Sequence, residues 1–417
     1  MKKEEHIVII GNSGAAINAV KGIRQVNAGC SITLLSLEPH NAYSPVLTTY
    51  LIAGKITRNQ MALVDEAFYH YHRVERRYKQ RAISLSATDQ KVFLEDGTAI
   101  RYDKVLIATG AFPNLLDCDL PFGLPVFTLR TMEDAEKIQS SISNWRNAIF
   151  AGAGLISIQI ANALRTYLER MIFIVGSDQI LSQNLDNRAS SLIQRRIEAE
   201  GGTFFLNRKI IRVEESPEGV VAHTDRGEAI TGNALVVGKG VRPNIPKFVP
   251  EGIVEVGRGI RVDRRMRTSA ESIFAAGDVC EAKDLISGKY RLISNWPNAC
   301  FQGLVAGQNM GGGEAFFEGS LAMNATSVFG LSFASIGEVR DYSGEERETS
   351  FYLDESRGIY KKWVFQDDRI IGAILLGDIG ENAFVAEIIR RQLPISREKK
   401  ALMGYPSNAA SILCGLL

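Results

Sequence analysis

The sequence predicts an α/β fold: two parallel-sheet units, the second inserted into the first. Three observations predict it. Residues 6–10 are a short apolar run, followed at once by a small-residue loop and a helical pattern. The same order recurs from residue 148. A late strand, residues 271–276, ends in Gly277-Asp278 and reads as the first sheet resuming after an insertion.

The first unit opens with Ile7-Val8-Ile9-Ile10, a buried-strand run. Its loop is Gly11-Asn12-Ser13-Gly14, and Ala15-Ala16 begin the helix. Strand, tight turn and helix are the parts of a dinucleotide phosphate site. Gly11 allows the sharp turn, small side chains admit a pyrophosphate, and the helix N-terminus offers N–H groups and partial positive charge. The glycine pattern of such loops falls here on Gly11, Ser13 and Ala16, so only the first position is glycine. Alanine in the third place is a known variant, while serine in the second is a departure. The next strand, residues 31–37, ends at Glu38-Pro39. A carboxylate at that point accepts hydrogen bonds from an adenosine ribose; a solvated carboxylate after a strand is the alternative reading.

Composition bounds the rest. At 417 residues the chain is long enough for about three domains. A net charge of +1, with 45% hydrophobic and 23% charged residues, gives no argument for nucleic acid, a membrane surface or a polyanionic substrate. No apolar run reaches the roughly 18 residues of a membrane span. Met1-Lys2-Lys3-Glu4-Glu5 leaves no room for a signal peptide before the first strand, so a cytoplasmic protein is expected. The five cysteines, Cys30, Cys118, Cys280, Cys300 and Cys414, are scattered, with no C-x-x-C pair. Free thiols in a reducing compartment are the expectation.

Along the chain, residues 39–47 are extended or turned around their prolines. Residues 69–81 read as a basic amphipathic stretch with a solvated charged face. Residues 82–94 alternate as strands before a hairpin turn at 95–98. Residues 102–107 form a buried strand that ends in Ala108-Thr109-Gly110. In the second unit the strand is 148–151, the loop 152–157 and the helix 158–169. Its glycine pattern is kept at Gly152 and Gly154, with Leu155-Ile156 between and Ser157 in the third place. The next strand, 171–175, ends in Gly176-Ser177-Asp178. Two such units in one chain are an internal repeat, more specific than either alone. Two nucleotide cofactors, one serving the other, are its simplest use. A carboxylate at Asp278 can accept hydrogen bonds from sugar or sugar-alcohol hydroxyls.

With these residues in place the chain resembles the FAD- and NAD(P)H-dependent pyridine nucleotide oxidoreductases, in the branch of rubredoxin reductase, ferredoxin reductase and the flavin domain of nitrite reductase. The motifs are Gly11 to Ala16, Glu38, the Tyr43-Ser44-Pro45 segment, Ala108-Thr109-Gly110, Gly152 to Ser157, Gly240 with Arg242-Pro243-Asn244, Gly277-Asp278, and Trp296-Pro297-Asn298-Ala299 with Gln302-Gly303. The resemblance implies an FAD domain over 1–115 and 240–320. It implies an NAD domain over 116–239 and a C-terminal α+β interface domain over 321–417. It also implies roles. Gly11, Ser13 and Ala16 take the FAD pyrophosphate and Glu38 the ribose. The Ala82 backbone meets the adenine, and Asp278 the ribityl chain. Trp296 lies beside the flavin ring, and the helix after it points its positive end there, favouring negative charge. The nicotinamide nucleotide falls to Gly152, Gly154, Leu155, Ile156, Ser157, Ser177, Asp178 and Gly240.

Three departures from the family pattern stand out. Residues 42–54 hold no cysteine, so disulfide chemistry lacks its thiol. Ser44 stands where an arginine is common. Gly176-Ser177-Asp178 gives neither the usual acid for NAD nor a base for NADP clearly, and Gln159 replaces a usual glutamate. Without a cation in that stretch, and with Asp178 there, NAD is expected over NADP. The expected function is an FAD enzyme passing electrons between a nicotinamide nucleotide and a one-electron iron–sulfur partner such as a ferredoxin. The flavin carries the chemistry, and no residue acts as a general base. The chain also resembles flavin subunits of multi-subunit 2-oxoacid (phenylglyoxylate) and tungsten aldehyde oxidoreductases, which implies an oligomer or a hetero-complex. A nearly uncharged C-terminal end, residues 401–417, fits burial against this chain or a neighbour. Two alternatives stand beside this: a stand-alone NADH oxidase or reductase, and a subunit holding FAD structurally with a decayed NAD site.

Overall fold

A computed structural model describes residues 5–247, 249, 253–340, 347–396, 398–404 and 409–413. The chain divides into two compact units. One comprises residues 1–47, 57–112 and 241–321, the other 48–56, 113–240 and 322–417.

The first unit is built on five parallel strands. Their order is Ile273–Ala275, Lys104–Ile107, His6–Ile10, Ser31–Ser36 and Val74–Tyr78. The late strand thus pairs with Lys104–Ile107, as the terminal Gly-Asp pattern predicts. A parallel sheet is covered on both faces, so its strands read as continuous apolar runs rather than alternation. Ile7, Val8 and Ile9 are accordingly all fully buried. The chain moves outward through the strands at 31 and 74, then crosses to the other side of His6–Ile10. Ligands bind at the carboxyl ends of strands beside such a switch point.

Helices Gly14–Val26 and Trp296–Met310 pack backbone to backbone. A Cβ at Gly303 would stand 2.1 Å from Ala15 O, and one at Gly307 2.1 Å from Ala19 O. Position 303 meets 15 and position 307 meets 19, so the helices run parallel. Both N-termini therefore emerge at the same end of the unit.

Residues 69–81 differ from expectation. They split between helix Glu66–Tyr71 and the edge strand Val74–Tyr78. Arg76 is not simply solvated: its guanidinium lies 4.5 Å from the Tyr69 ring centroid and forks onto Glu66 at 2.8 and 2.6 Å. The stretch is divided because Tyr69 packs inward while Arg73, at φ +48°, turns the chain into the strand.

The second unit repeats the plan. Its parallel order is Gly202–Leu206, Arg170–Val175, Asn147–Ala151, Ala234–Val237 and Val126–Phe127. Stacked Phe150, Phe173 and Phe204, with centroids 4.8 and 4.6 Å apart, tie three of these strands. Helix Leu155–Leu164 follows the loop at Gly152, starting three residues before and ending five residues before the expected 158–169. Helix Thr48–Ile52 groups with this unit, and Gln139 Nε2 donates to Leu51 O at 2.7 Å.

Residues after 322 form an antiparallel sheet of five strands under helix Asn382–Arg390. This sheet is bonded to the parallel part of the same unit. Asp186 caps helix Asn187–Glu198 and also accepts from Tyr360 Oη at 2.6 Å. Gln159 Nε2, at the position where glutamate is usual, donates to Thr326 Oγ1 at 3.1 Å. The apolar chain end is in part packed on its own unit: Leu402 and Leu413 are fully buried. Residues 405–408 and 414–417, with Cys414, lie outside the described residues.

Candidate functional site

In the first unit Gly11, Glu38, Ala108 and Gly277 follow the carboxyl ends of parallel strands. Gly11 has φ +128°, and a Cβ there would lie 2.1 Å from Ala108 O. Only glycine fits, by conformation and by room. Ser13 is the N-cap of the first helix but makes no side-chain cap bond, so the first N–H groups are left for an anion. Asn12 is fixed from both sides. Its Nδ2 donates to His40 O at 3.0 Å, and its Oδ1 accepts from Tyr69 Oη at 3.1 Å. Tyr69 also receives the Ala42 N–H at 2.9 Å. Burial pushes the Tyr69 phenol up to about 12, so it remains a donor.

Glu38, two residues past its strand, is partly exposed and accepts from Tyr43 Oη at 2.6 Å. Pro39 is exposed beside it. Ser44 N–H donates to Met61 O at 2.9 Å, and Pro45 opens a short 3-10 turn. Ala82 begins strand Ala82–Ser86 of a separate three-stranded sheet.

Ala108-Thr109-Gly110 is clasped by Asn244. Thr109 Oγ1 donates to Asn244 O at 2.6 Å, Asn244 Nδ2 to Thr109 O at 3.2 Å, and Asn244 N–H to Gly110 O at 2.9 Å. Gly277, at φ +85°, donates its N–H to Gln302 Oε1 at 2.8 Å, which fixes the turn carrying Asp278. Gln302 is buried, and its Nε2 donates to Ser320 Oγ at 3.2 Å. Its sequence signal is the Gln302-Gly303 pair; its partner became visible only in the fold.

Trp296 opens its helix, with its ring against Gly14. Pro297 carries no N–H. Asn295 Oδ1 accepts the Asn298 N–H at 2.9 Å, and Asn295 O accepts the Ala299 N–H at 3.1 Å. That helix end therefore offers its dipole more than free donors. The Asn298 side chain is committed to Leu321 N–H at 3.1 Å and to the Ile293 and Leu321 carbonyls. It holds the helix start.

In the second unit Gly152 has φ +99°, and its Cβ would stand 2.6 Å from Gly238 O. Gly154 caps helix Leu155–Leu164 without a side-chain bond, and Ile156 is 40% exposed there. Ser157 is fully buried, with no hydrogen-bond partner for Oγ. Ser177 Oγ donates to Gln179 O at 2.7 Å, and Asp178 is exposed. Gly240, at φ +78°, accepts from Asn114 N–H at 2.9 Å. Arg208 lies beside this strand end: its N–H donates to Val175 O at 2.9 Å. Its guanidinium is engaged by Glu228 Oε1 at 2.8 Å. Linear sequence gives no sign of that cation.

The described cysteines, Cys30, Cys118, Cys280 and Cys300, are free thiols. Burial pushes each of them up, which disfavours the nucleophilic thiolate. Among the described residues no group of His, Cys, Asp and Glu could hold a metal ion, and no helix is long and apolar enough to cross a membrane.

Two small-residue loops at the switch points of two parallel sheets, each opening on a glycine at positive φ and followed by a helix without a side-chain cap bond, fit two dinucleotides. They define a two-nucleotide oxidoreductase scaffold. The pyridine nucleotide-disulphide oxidoreductase family matches residues 5–303, and the rubredoxin NAD+ reductase C-terminal domain matches residues 323–393. The chain belongs to the pyridine nucleotide-disulphide oxidoreductase family and is an oxidoreductase with FAD and NAD(H) as cofactors.

The NADH-dependent phenylglyoxylate dehydrogenase subunit epsilon of Aromatoleum evansii is 29% identical over 96% of this chain and 94% of its own length. The assimilatory nitrate reductase electron transfer subunit of Bacillus subtilis is 27% identical over 96% of this chain, which spans 51% of that protein. Among solved structures, the putidaredoxin reductase–putidaredoxin complex has a TM-score of 0.88 at 19% identity, covering 99% of both chains.

Proposed function

We propose that FAD occupies the first unit and NAD(H) the second, and that electrons leave to a one-electron iron–sulfur protein with this chain as a flavin subunit of a larger complex. In domain terms, residues 1–115 and 240–320 take FAD and 116–239 take NAD. Residues 321–417 form the interface domain. The chemistry FAD supplies when bound is acceptance of a hydride from NADH and release of the two electrons singly. The chain binds and orients. Gly11 and the open N–H groups after Ser13 receive a pyrophosphate. Glu38 accepts from ribose hydroxyls, and Asp278 from the ribityl chain. The positive end of helix Trp296–Met310 favours negative charge beside it.

The observation that carries the reading is a pair of cradles on one chain without a thiol in residues 42–54 and with every described thiol's pKa raised by burial. Among the described residues no thiol is tuned to serve as an internal disulfide acceptor. The rubredoxin-reductase-type C-terminal match and the name of the nitrate reductase electron transfer subunit support an external acceptor. An anaerobic flavin spectrum tests it. NADH should bleach a bound flavin, and a ferredoxin or rubredoxin should restore the colour. A flavin that NADH leaves oxidised would favour the rival, a structural FAD subunit with a lost NAD site. Full-rate direct oxygen reduction by the native protein running alone would favour an oxidase. Purification from the native source should bring down an iron–sulfur subunit.

A further inference from the structure

The second cradle has lost the third glycine of its loop, and that glycine normally lets the helix approach the sheet closely. Ser157 occupies the position and is fully buried. The room for its side chain comes from the facing strand. Gly238 directly follows strand Ala234–Val237, which pairs with Asn147–Ala151. A Cβ built on Gly238 would lie 2.0 Å from Ser157 Oγ, a hard overlap, and 3.3 Å from Ser157 Cβ. Gly238 is not among the glycines at positive φ, so its conformation does not require glycine. Space does. The same residue closes the turn on its other side: its N–H donates to Ala151 O at 3.0 Å, and its carbonyl lies where a Cβ on Gly152 would fall.

We infer that Gly238 is a positioning residue of the nicotinamide-nucleotide site. It stands in for the missing third glycine and keeps the uncapped start of helix Leu155–Leu164 at binding depth. The loop that looks degenerate in sequence is repaired from the opposite strand. The unpaired Ser157 hydroxyl marks the join. This rests on the assignment of NAD(H) to the second unit.

The test is a double-mutant cycle on the flavin-loaded chain, with Gly238→Ala, Ser157→Ala and both together. NADH binding is read by titration, and melting temperature and flavin content are read beside it. Gly238→Ala should weaken NADH binding about tenfold or more, within the coupling range of contacting residues, with flavin content unchanged. Adding Ser157→Ala removes the clashing oxygen and should restore most of the affinity. Unaltered NADH binding by Gly238→Ala overturns the inference. So does a double variant no better than Gly238→Ala. Should Gly238→Ala fail to fold, recovery of folding and NADH binding in the double variant supports the inference, and its failure overturns it. A wild-type chain that binds no NADH would instead sink the assignment of the site. The melting temperatures, lowered by Gly238→Ala and restored in the double variant, would then still show the packing pair.

Discussion

The ring of Trp296 lies flat against Gly14, so that a Cβ at Gly14 would stand 2.8 Å from ring atom Cη2 and 3.0 Å from Cζ3. The start of one helix is thereby shaped by the start of the other. Gly14→Ala should push the indole off its seat, at a cost of about 1–3 kcal/mol for overpacking. The expected readouts are a shifted tryptophan emission, a lower melting temperature and weaker FAD retention. Trp296→Phe in that background should recover part of the loss. An unchanged emission and melting temperature would show the contact is loose.

Tyr43 and Glu38 form the second testable pair. Tyr43→Phe leaves the carboxylate without its 2.6 Å donor. Hydrogen bonds to charged groups are worth about 1.5–3 kcal/mol. FAD dissociation, followed by the rise of flavin fluorescence, should therefore quicken by roughly tenfold or more if the bond holds Glu38 in place. An unaltered release rate would remove Tyr43 from the site.

Coenzyme choice follows from Asp178 and Arg208. With Asp178 exposed and Arg208 held by Glu228, NADH should reduce the flavin faster than NADPH. Glu228→Ala removes the carboxylate partner of Arg208, leaving its Nη1 on the Leu206 and Asn207 carbonyls beside the end of strand Arg170–Val175, and should raise the NADPH-to-NADH rate ratio in stopped-flow reduction. A ratio that does not move shows that Arg208 does not reach the 2′-phosphate.

The thiols should be bystanders. Cys280 is buried, with Sγ 3.1 Å from both Gly277 O and Gln302 Oε1, and Cys300 is half-buried in the helix after Trp296. Replacing either by Ala should leave NADH-to-dye turnover nearly intact. A hundredfold loss, about 2.7 kcal/mol, with flavin still bound would make that cysteine a participant.

Glu66 gives a pH prediction. Hydrogen bonds from Arg76 and Asn41 hold its carboxyl at about 2, below the ordinary 4.5. The folded value is depressed, so the fork's contribution is present above the ordinary glutamate range and is lost as pH falls toward 2. The side chain is 70% exposed, so the effect on global stability is small. The measurement is the Glu66 carboxyl shift by NMR. Arg76→Ala should return it toward the ordinary value.

The repeat was legible because its signals are local. An apolar run, a glycine turn and a helical pattern within residues 6–23, and again within 148–164, are set by backbone sterics and periodicity over a few neighbours. Gly11, Glu38, Gly152 and Gly277 were placed by that logic, as was the pairing of the late strand with the first sheet. The stretch at 69–81 keeps its charges solvated or partly so, but charge pattern alone does not reveal that Tyr69 anchors Asn12 or that Arg73 turns the chain.

By itself the sequence determined the two dinucleotide units, their order and the missing thiol, since each depends on residue type at short spacing. Only the tertiary structure decided which distant residues repair or restrain those units. Gln302 holds the Gly277 turn, Asn244 clasps Thr109 from 135 residues away, Glu228 quiets Arg208, and Gly238 makes room for Ser157. These are contacts between strand ends and helix starts, and they are fixed by sheet order and close packing, which no local pattern encodes.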